Sequence, residues 1–145
     1  MSFTRQWIPG VGLIATVAAA GYMVVSVYAQ AADYSKAAFI EVRDAQAQVI
    51  LRGQFMAVEE DDDDVERKAT LAPTGADQDA AGEAEVEYAK ATPTVQEVEF
   101  SIRNVQPGGT FTFVVDGQDV ATATADGRGR AEVELEVGGT ATATR

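Results

Sequence analysis

The rhythm of hydrophobic and polar positions changes once along this chain. From Trp7 to Ala32 the residues are apolar or small and none is charged. Ile8 to Gln30 gives 23 residues, which as a helix would reach roughly 34 Å at 1.5 Å per residue, enough to cross a hydrocarbon core of about 30 Å. After Ala32 the pattern becomes a period of two. Val49, Leu51, Gly53 and Phe55 share one face, with Ile50, Arg52 and Gln54 on the other. The same alternation runs through Val65 to Leu71, Gly82 to Tyr88, Val98 to Arg103, Phe111 to Val115, Val120 to Ala125 and Arg130 to Val137. A period of two with one apolar face predicts half-buried strands. Turn signals separate them: Pro73-Thr74-Gly75, Pro107-Gly108-Gly109, Asp116-Gly117 and Asp126-Gly127.

The expected organisation is therefore a membrane anchor over 1–32, a juxtamembrane connector over 33–47, a domain over 48–138 and a flexible tail over 139–145. The connector, DYSKAAFIEVRD at its start, reads as helical at first, although the alternation from Phe39 could equally open a strand. Seven or eight short antiparallel strands predict a mainly β protein, a β-sandwich with a closed barrel as the alternative. Gly82-Glu-Ala-Glu-Val-Glu-Tyr88 also matches Gly129-Arg-Ala-Glu-Val-Glu-Leu135. The flanking strands match in the same order, which points to an internal duplication into two halves.

Charge fixes an expected orientation. Arg5 is the single charge before the apolar stretch, so ten of the eleven basic residues and all 23 acidic ones follow Ala32, a net of −13. By the positive-inside rule the N-terminus is expected in the cytoplasm of a bacterial cell and the β domain outside the inner membrane, in the periplasm. The stretch also has signal-peptide features, with Arg5 before an apolar region and Ala29-Gln30-Ala31 as a small-x-small end. Its length exceeds an ordinary leader's apolar core, which favours an uncleaved anchor. Gly12, Thr16 and Ala20 recur at a spacing of four, a small-residue stripe on which a second helix could pack.

Composition removes most chemistry. The chain has no Cys and no His, which excludes disulfides, thiolate or imidazole metal ligation and Ser/His or Cys/His catalytic pairs. The strong acidity makes nucleic acid a poor partner. Carboxylates are the remaining reactive groups, and the densest run is Glu59, Glu60, Asp61, Asp62, Asp63 and Asp64. Consecutive residues of an extended chain point apart and do not converge on a cation, so the run reads as a solvated loop that interrupts pairing and is available to a basic partner. Asp77 and Asp79 lack the further ligands that a calcium loop needs. The Glu rows on the strands read as a soluble sheet surface that discourages edge pairing. No catalytic, cofactor or metal residue is expected.

The segment PGGTFTFVVDGQDVATATADGRGRAEVELEV, covering 107–137, resembles the strand-turn-strand pieces of bacterial exported β-sandwich modules. That resemblance implies fold and carries no functional residue. The expected function is a non-catalytic, membrane-anchored extracytoplasmic accessory subunit that stabilises a larger membrane complex, of the energy-transducing kind in respiration or photosynthesis. Its partners would be other subunits, and lipid through residues 8–30. The alternative is a secreted or surface β-sandwich that binds ligand after leader cleavage.

Overall fold

Each alternating run becomes a strand, because extended backbone places its apolar side chains on one face where they can share a core. The computed structural model describes Leu13–Ile14, Met23–Val27 and residues 33–75 and 77–138. The strands are β1 (Leu13–Ile14), β2 (Met23–Val27), β3 (Phe39–Arg43), β4 (Val49–Gln54), β5 (Met56–Glu60), β6 (Asp64–Pro73), β7 (Ala81–Ala89), β8 (Gln96–Arg103), β9 (Thr110–Val115), β10 (Gln118–Thr124) and β11 (Ala131–Val137). All pairings among them are antiparallel.

The main sheet runs β11-β8-β7-β6-β4-β3-β9-β10, with β1 added outside β11, β2 outside β10, and β5 pairing with β6. β10 and β11 approach each other without pairing, so the sheet is nearly closed into a barrel. It therefore does not split into the two separate sheets expected of a sandwich. The reason is β6, whose first eight residues pair with β7 while Ala72 and Pro73 pair with β4, so that one strand carries the sheet around the corner. The inward residues form one core, in which Phe100 of β8 and Phe113 of β9 stack at 5.3 Å between ring centroids.

The stretch expected to be a connector is part of this body. Phe39–Arg43 is a strand between β4 and β9, with Ile40 and Val42 fully buried. Before it, Tyr34–Lys36 forms a short 3-10 turn capped by Asp33, whose side chain accepts the Ser35 N–H. Tyr34 is buried, and desolvation pushes its phenol above the ordinary value. Gln96 holds this turn to the barrel, its side-chain oxygen accepting the Tyr34 N–H and its amide donating to Asp33 and to the Pro93 carbonyl. Arg67 donates to the Ser35 carbonyl at 2.7 Å and lies 5.9 Å over the Phe55 ring.

The helix expected over residues 8–30 is not found. Its two described pieces are strands, and among the described residues no helix is long and apolar enough to cross a membrane. Three of the five residues in Met23–Val27 are valine, branched at Cβ and suited to a pleated strand. The open edge of β10 supplies the backbone partners a helix would find internally. The rest of that stretch, including Gly12, Thr16 and Ala20, lies outside the described residues, as does the tail over 139–145.

The two similar heptapeptides lie on either side of one strand. β7 and β11 flank the same strand, with Ala84 and Val133 both opposite Phe100. A shared neighbour imposes the same alternation on both.

Candidate docking surface

The period that fills the core also aligns the outward residues, and the register brings glutamates from neighbouring strands side by side. One row across β6, β7, β8 and β11 reads Glu66, Glu87, Glu97 and Glu136. The next reads Lys68, Glu85, Glu99 and Glu134, and the third Thr70, Glu83, Ser101 and Glu132. Nine glutamates and one lysine thus occupy twelve adjacent positions. Like charges directly opposite on neighbouring strands oppose pairing, so this face is held together by the core beneath it.

Lys68 neutralises one corner. Its ammonium lies 2.5 Å from Glu66 Oε1 and 3.2 Å from Glu85 Oε2, and these hydrogen bonds raise its pKa above the ordinary lysine value. Farther from Lys68 the carboxylates are perturbed against ionisation. Glu87 is raised, first because it shares a hydrogen bond with Glu85, then by desolvation and by the charges of Glu85, Glu66 and Glu97. Glu99 is raised by desolvation and by Glu132, Glu85, Glu134 and Glu97 around it. Both hold protons more tightly than an isolated glutamate does.

One oxygen from each of Glu66, Glu85 and Glu87 can lie within 4.8 Å of the others. A hard cation such as calcium takes six to eight oxygens, and Lys68 already occupies two of these three carboxylates, so the cluster does not assign a metal.

At the end of the face where the first row runs, a groove of about 550 Å³ opens. Asp61, Asp64, Glu66, Glu87, Glu97 and Glu136 supply its carboxylates, and Val65, Tyr88 and Val95 its apolar surface. Among the described residues, no lysine or arginine lines it. Val95 is 46% exposed, one of three large apolar side chains left open to solvent among the described residues.

Asp61 to Asp63 of the acidic run form the exposed loop expected of it while its two ends are strand, and Asp61 and Asp64 line this groove. Glu59 and Glu60 end β5 and pair with Glu66 and Val65, while Asp64 begins β6. Self-repulsion is overcome because the run is the bend of a hairpin: the Asp61 N–H donates to the Asp64 carbonyl, the Lys90 N–H to the Asp63 carbonyl and the Lys90 ammonium to the Asp61 carbonyl. Asp77 and Asp79 stand apart from the groove, with the Asp79 carbonyl accepting from Asn104.

The glutamates on β7, β8 and β11 were legible as alternating residues. That β7 and β11 both flank β8 and extend the acidic turn into one surface was not, because pairing order is absent from local periodicity. No family model, curated protein or solved structure matches this chain.

Proposed function

We propose that this chain is a non-catalytic binding module that docks a basic partner on the glutamate face of β6, β7, β8 and β11, and serves as an accessory subunit of a larger membrane complex. The observation that carries the reading is the groove, where six carboxylates surround apolar Tyr88, Val65 and Val95 and, among the described residues, no lysine or arginine lines the wall. A lysine- or arginine-bearing segment of a partner would relieve the repulsion between facing glutamates and cover the exposed Val95. Its attachment would be electrostatic in steering and specificity. The orientation proposed for the subunit, N-terminus inside and β domain outside the cytoplasm, rests on the charge asymmetry about residues 8–30.

The direct test is titration of the full chain with a fluorescent oligolysine peptide at low and at physiological salt. Binding should weaken as salt screens the charges, since the Debye length falls to about 8 Å near 0.15 M. The variant Glu87→Gln/Glu97→Gln/Glu136→Gln should weaken it at least tenfold. Equal affinity for both proteins would remove the groove as the site.

A second reading, a secreted module released by cleavage after Ala31, is favoured by one observation: Leu13–Ile14 and Met23–Val27 form strands where an anchor would be helical. N-terminal sequencing of the protein from its native source separates the two. A start at Ala32 supports the secreted module and an uncut N-terminus the subunit.

A further inference from the structure

β10 and β11 follow one another and are joined by a well-made turn, yet they do not pair. The Asp126 N–H donates to the Arg130 carbonyl at 2.8 Å, and the Asp126 carboxylate accepts the N–H groups of Arg128 and Arg130. Past this turn the strands diverge, and each presents an open edge. β1 meets the β11 edge at Glu136 and Val137, and β2 meets the β10 edge from Ala121 to Thr124.

The two edges differ in chemistry. β11 carries Glu132, Glu134 and Glu136, charges of the kind that protect natural sheet edges from pairing with other chains. β10 carries none from Val120 through Ala125 and no proline. Four consecutive residues there, Val120 to Ala123, are buried. An edge without charge or proline has to be covered, and in this chain residues Met23–Val27 cover it.

We infer that the β10 edge is a strand-acceptor site through which two copies of this chain pair, antiparallel about Thr122, whenever Met23–Val27 is withdrawn from it. Withdrawal follows if that segment enters a bilayer or is removed by cleavage, but the inference rests on the strand pairing and not on either fate. A second copy fits because β10 is complementary to itself. With Thr122 opposite Thr122, Ala121 faces Ala123, Val120 faces Thr124, Asp119 faces Ala125 and Asp126 faces Gln118, so no two carboxylates meet. The corresponding pairing of β11 with β11 would set rows of glutamate against one another. The contact is isologous, closes at two copies and leaves the glutamate face free.

The test uses the full chain, which lacks cysteine. Wild-type protein, with β2 in place, should sediment as a monomer. Val24→Pro/Ser26→Pro, which removes two N–H donors from β2, should double in mass. Adding Thr122→Cys should lock that dimer as a disulfide, because facing antiparallel residues have Cα atoms about 4.5 to 5.5 Å apart, within disulfide range. Adding Thr122→Lys instead should return it to monomer. If the double proline variant loses its cooperative melting transition, Val24→Glu, which weakens the strand without breaking it, decides the matter by the same readouts. A folded strand-release variant that stays monomeric, forms open-ended aggregates, or dimerises without crosslinking at position 122 overturns the inference. So does a Thr122→Cys single variant that crosslinks fully with β2 left unchanged.

Discussion

The two sides of the barrel solve the same packing problem with opposite electrostatics. On the β4, β3 and β9 side, outward Glu41 lies between two cations, bonded to Arg52 at 2.7 and 3.1 Å and to Arg43 at 3.1 Å. Its carboxyl is held below the ordinary value, by Arg52 first and by Arg43 after it. On the β6, β7, β8 and β11 side, Glu99 is pushed up by desolvation first and by the glutamates around it after that, and Glu87 by the hydrogen bond it shares with Glu85, then by desolvation and nearby glutamates. The first side settles its own charges and the second leaves them to something else. Folding requires only that outward residues be solvated, and either arrangement meets that demand. The difference is therefore information about use, which is why the glutamate face and not the Glu41 cluster is read as the docking surface.

The largest effect tests whether the two sides are one cooperative unit. Phe100 belongs to the acidic side and Phe113 to the paired side, both are fully buried, and their rings stack 14° from parallel. Phe100→Ala should cost about 3 to 5 kcal/mol, a large part of the whole stability of a small domain. In urea unfolding followed by circular dichroism and by amide exchange, both sides should lose protection together. Survival of β3 and β9 after β7 and β8 have exchanged would show two independent units.

A smaller effect is expected at the join on the paired side. Asp116 and Gly117 both have positive φ, the conformation of a two-residue hairpin between β9 and β10. The Asp116 carboxylate turns back to accept the N–H groups of Ala38 at 3.1 Å and Phe39 at 2.9 Å, fixing the start of β3. Asp116→Asn keeps the turn but gives up the charge, and should cost about 1 kcal/mol in thermal unfolding. An unchanged melting temperature would mean that the bond from the Asp116 N–H to the Phe39 carbonyl suffices by itself.

How much of this was legible depends on which interactions are local. The strand period, the Asp116-Gly117 turn and the inward set Ala84, Val86, Val98, Phe100, Val133 and Leu135 follow from residues near one another in the chain. The connector over 33–47 was misplaced because Ile40 and Val42 offer only two buried positions, and their strand exists through partners at 49–54 and 112–115. The apolar stretch from Ile8 to Gln30 carries no charged residue whose spacing would choose between helix and strand, and for Met23–Val27 the β10 edge supplies the strand partner. The acidic run from Glu59 was read by its charge alone, which missed the backbone closure by Lys90. The docking face was the least legible, since it depends on which strands neighbour β8.

The smallest effect sharpens the electrostatic contrast most directly, because its sign differs between the two sides. Glu99 has a folded pKa above the ordinary 4.5, so the native state binds its proton more tightly than the unfolded chain does. That favours folding below the ordinary value, and the advantage is lost as pH rises through the raised one. Glu41 has a folded pKa below 4.5, so its contribution is present above the ordinary value and is lost as pH falls through the lowered one. Lowering the pH from 7 toward the ordinary 4.5 should therefore raise the melting temperature, as Glu87 and Glu99 take up protons, and acidification below that value should lower it as Glu41 loses its charge. Glu99→Gln should stabilise at neutral pH by about 0.3 to 0.5 kcal/mol, a figure kept small because solvent screens an exposed position. It should also flatten that rise. Glu41→Gln should destabilise by a similar amount at neutral pH and flatten the fall at lower pH instead. The two variants should also diverge with salt: 0.5 M NaCl should reduce the gain from Glu99→Gln by screening the part of it that comes from repulsion between glutamates. If both substitutions move the melting temperature in the same direction at pH 7, the two sides are not electrostatically distinct, and the glutamate face loses its claim to be the surface set aside for a partner.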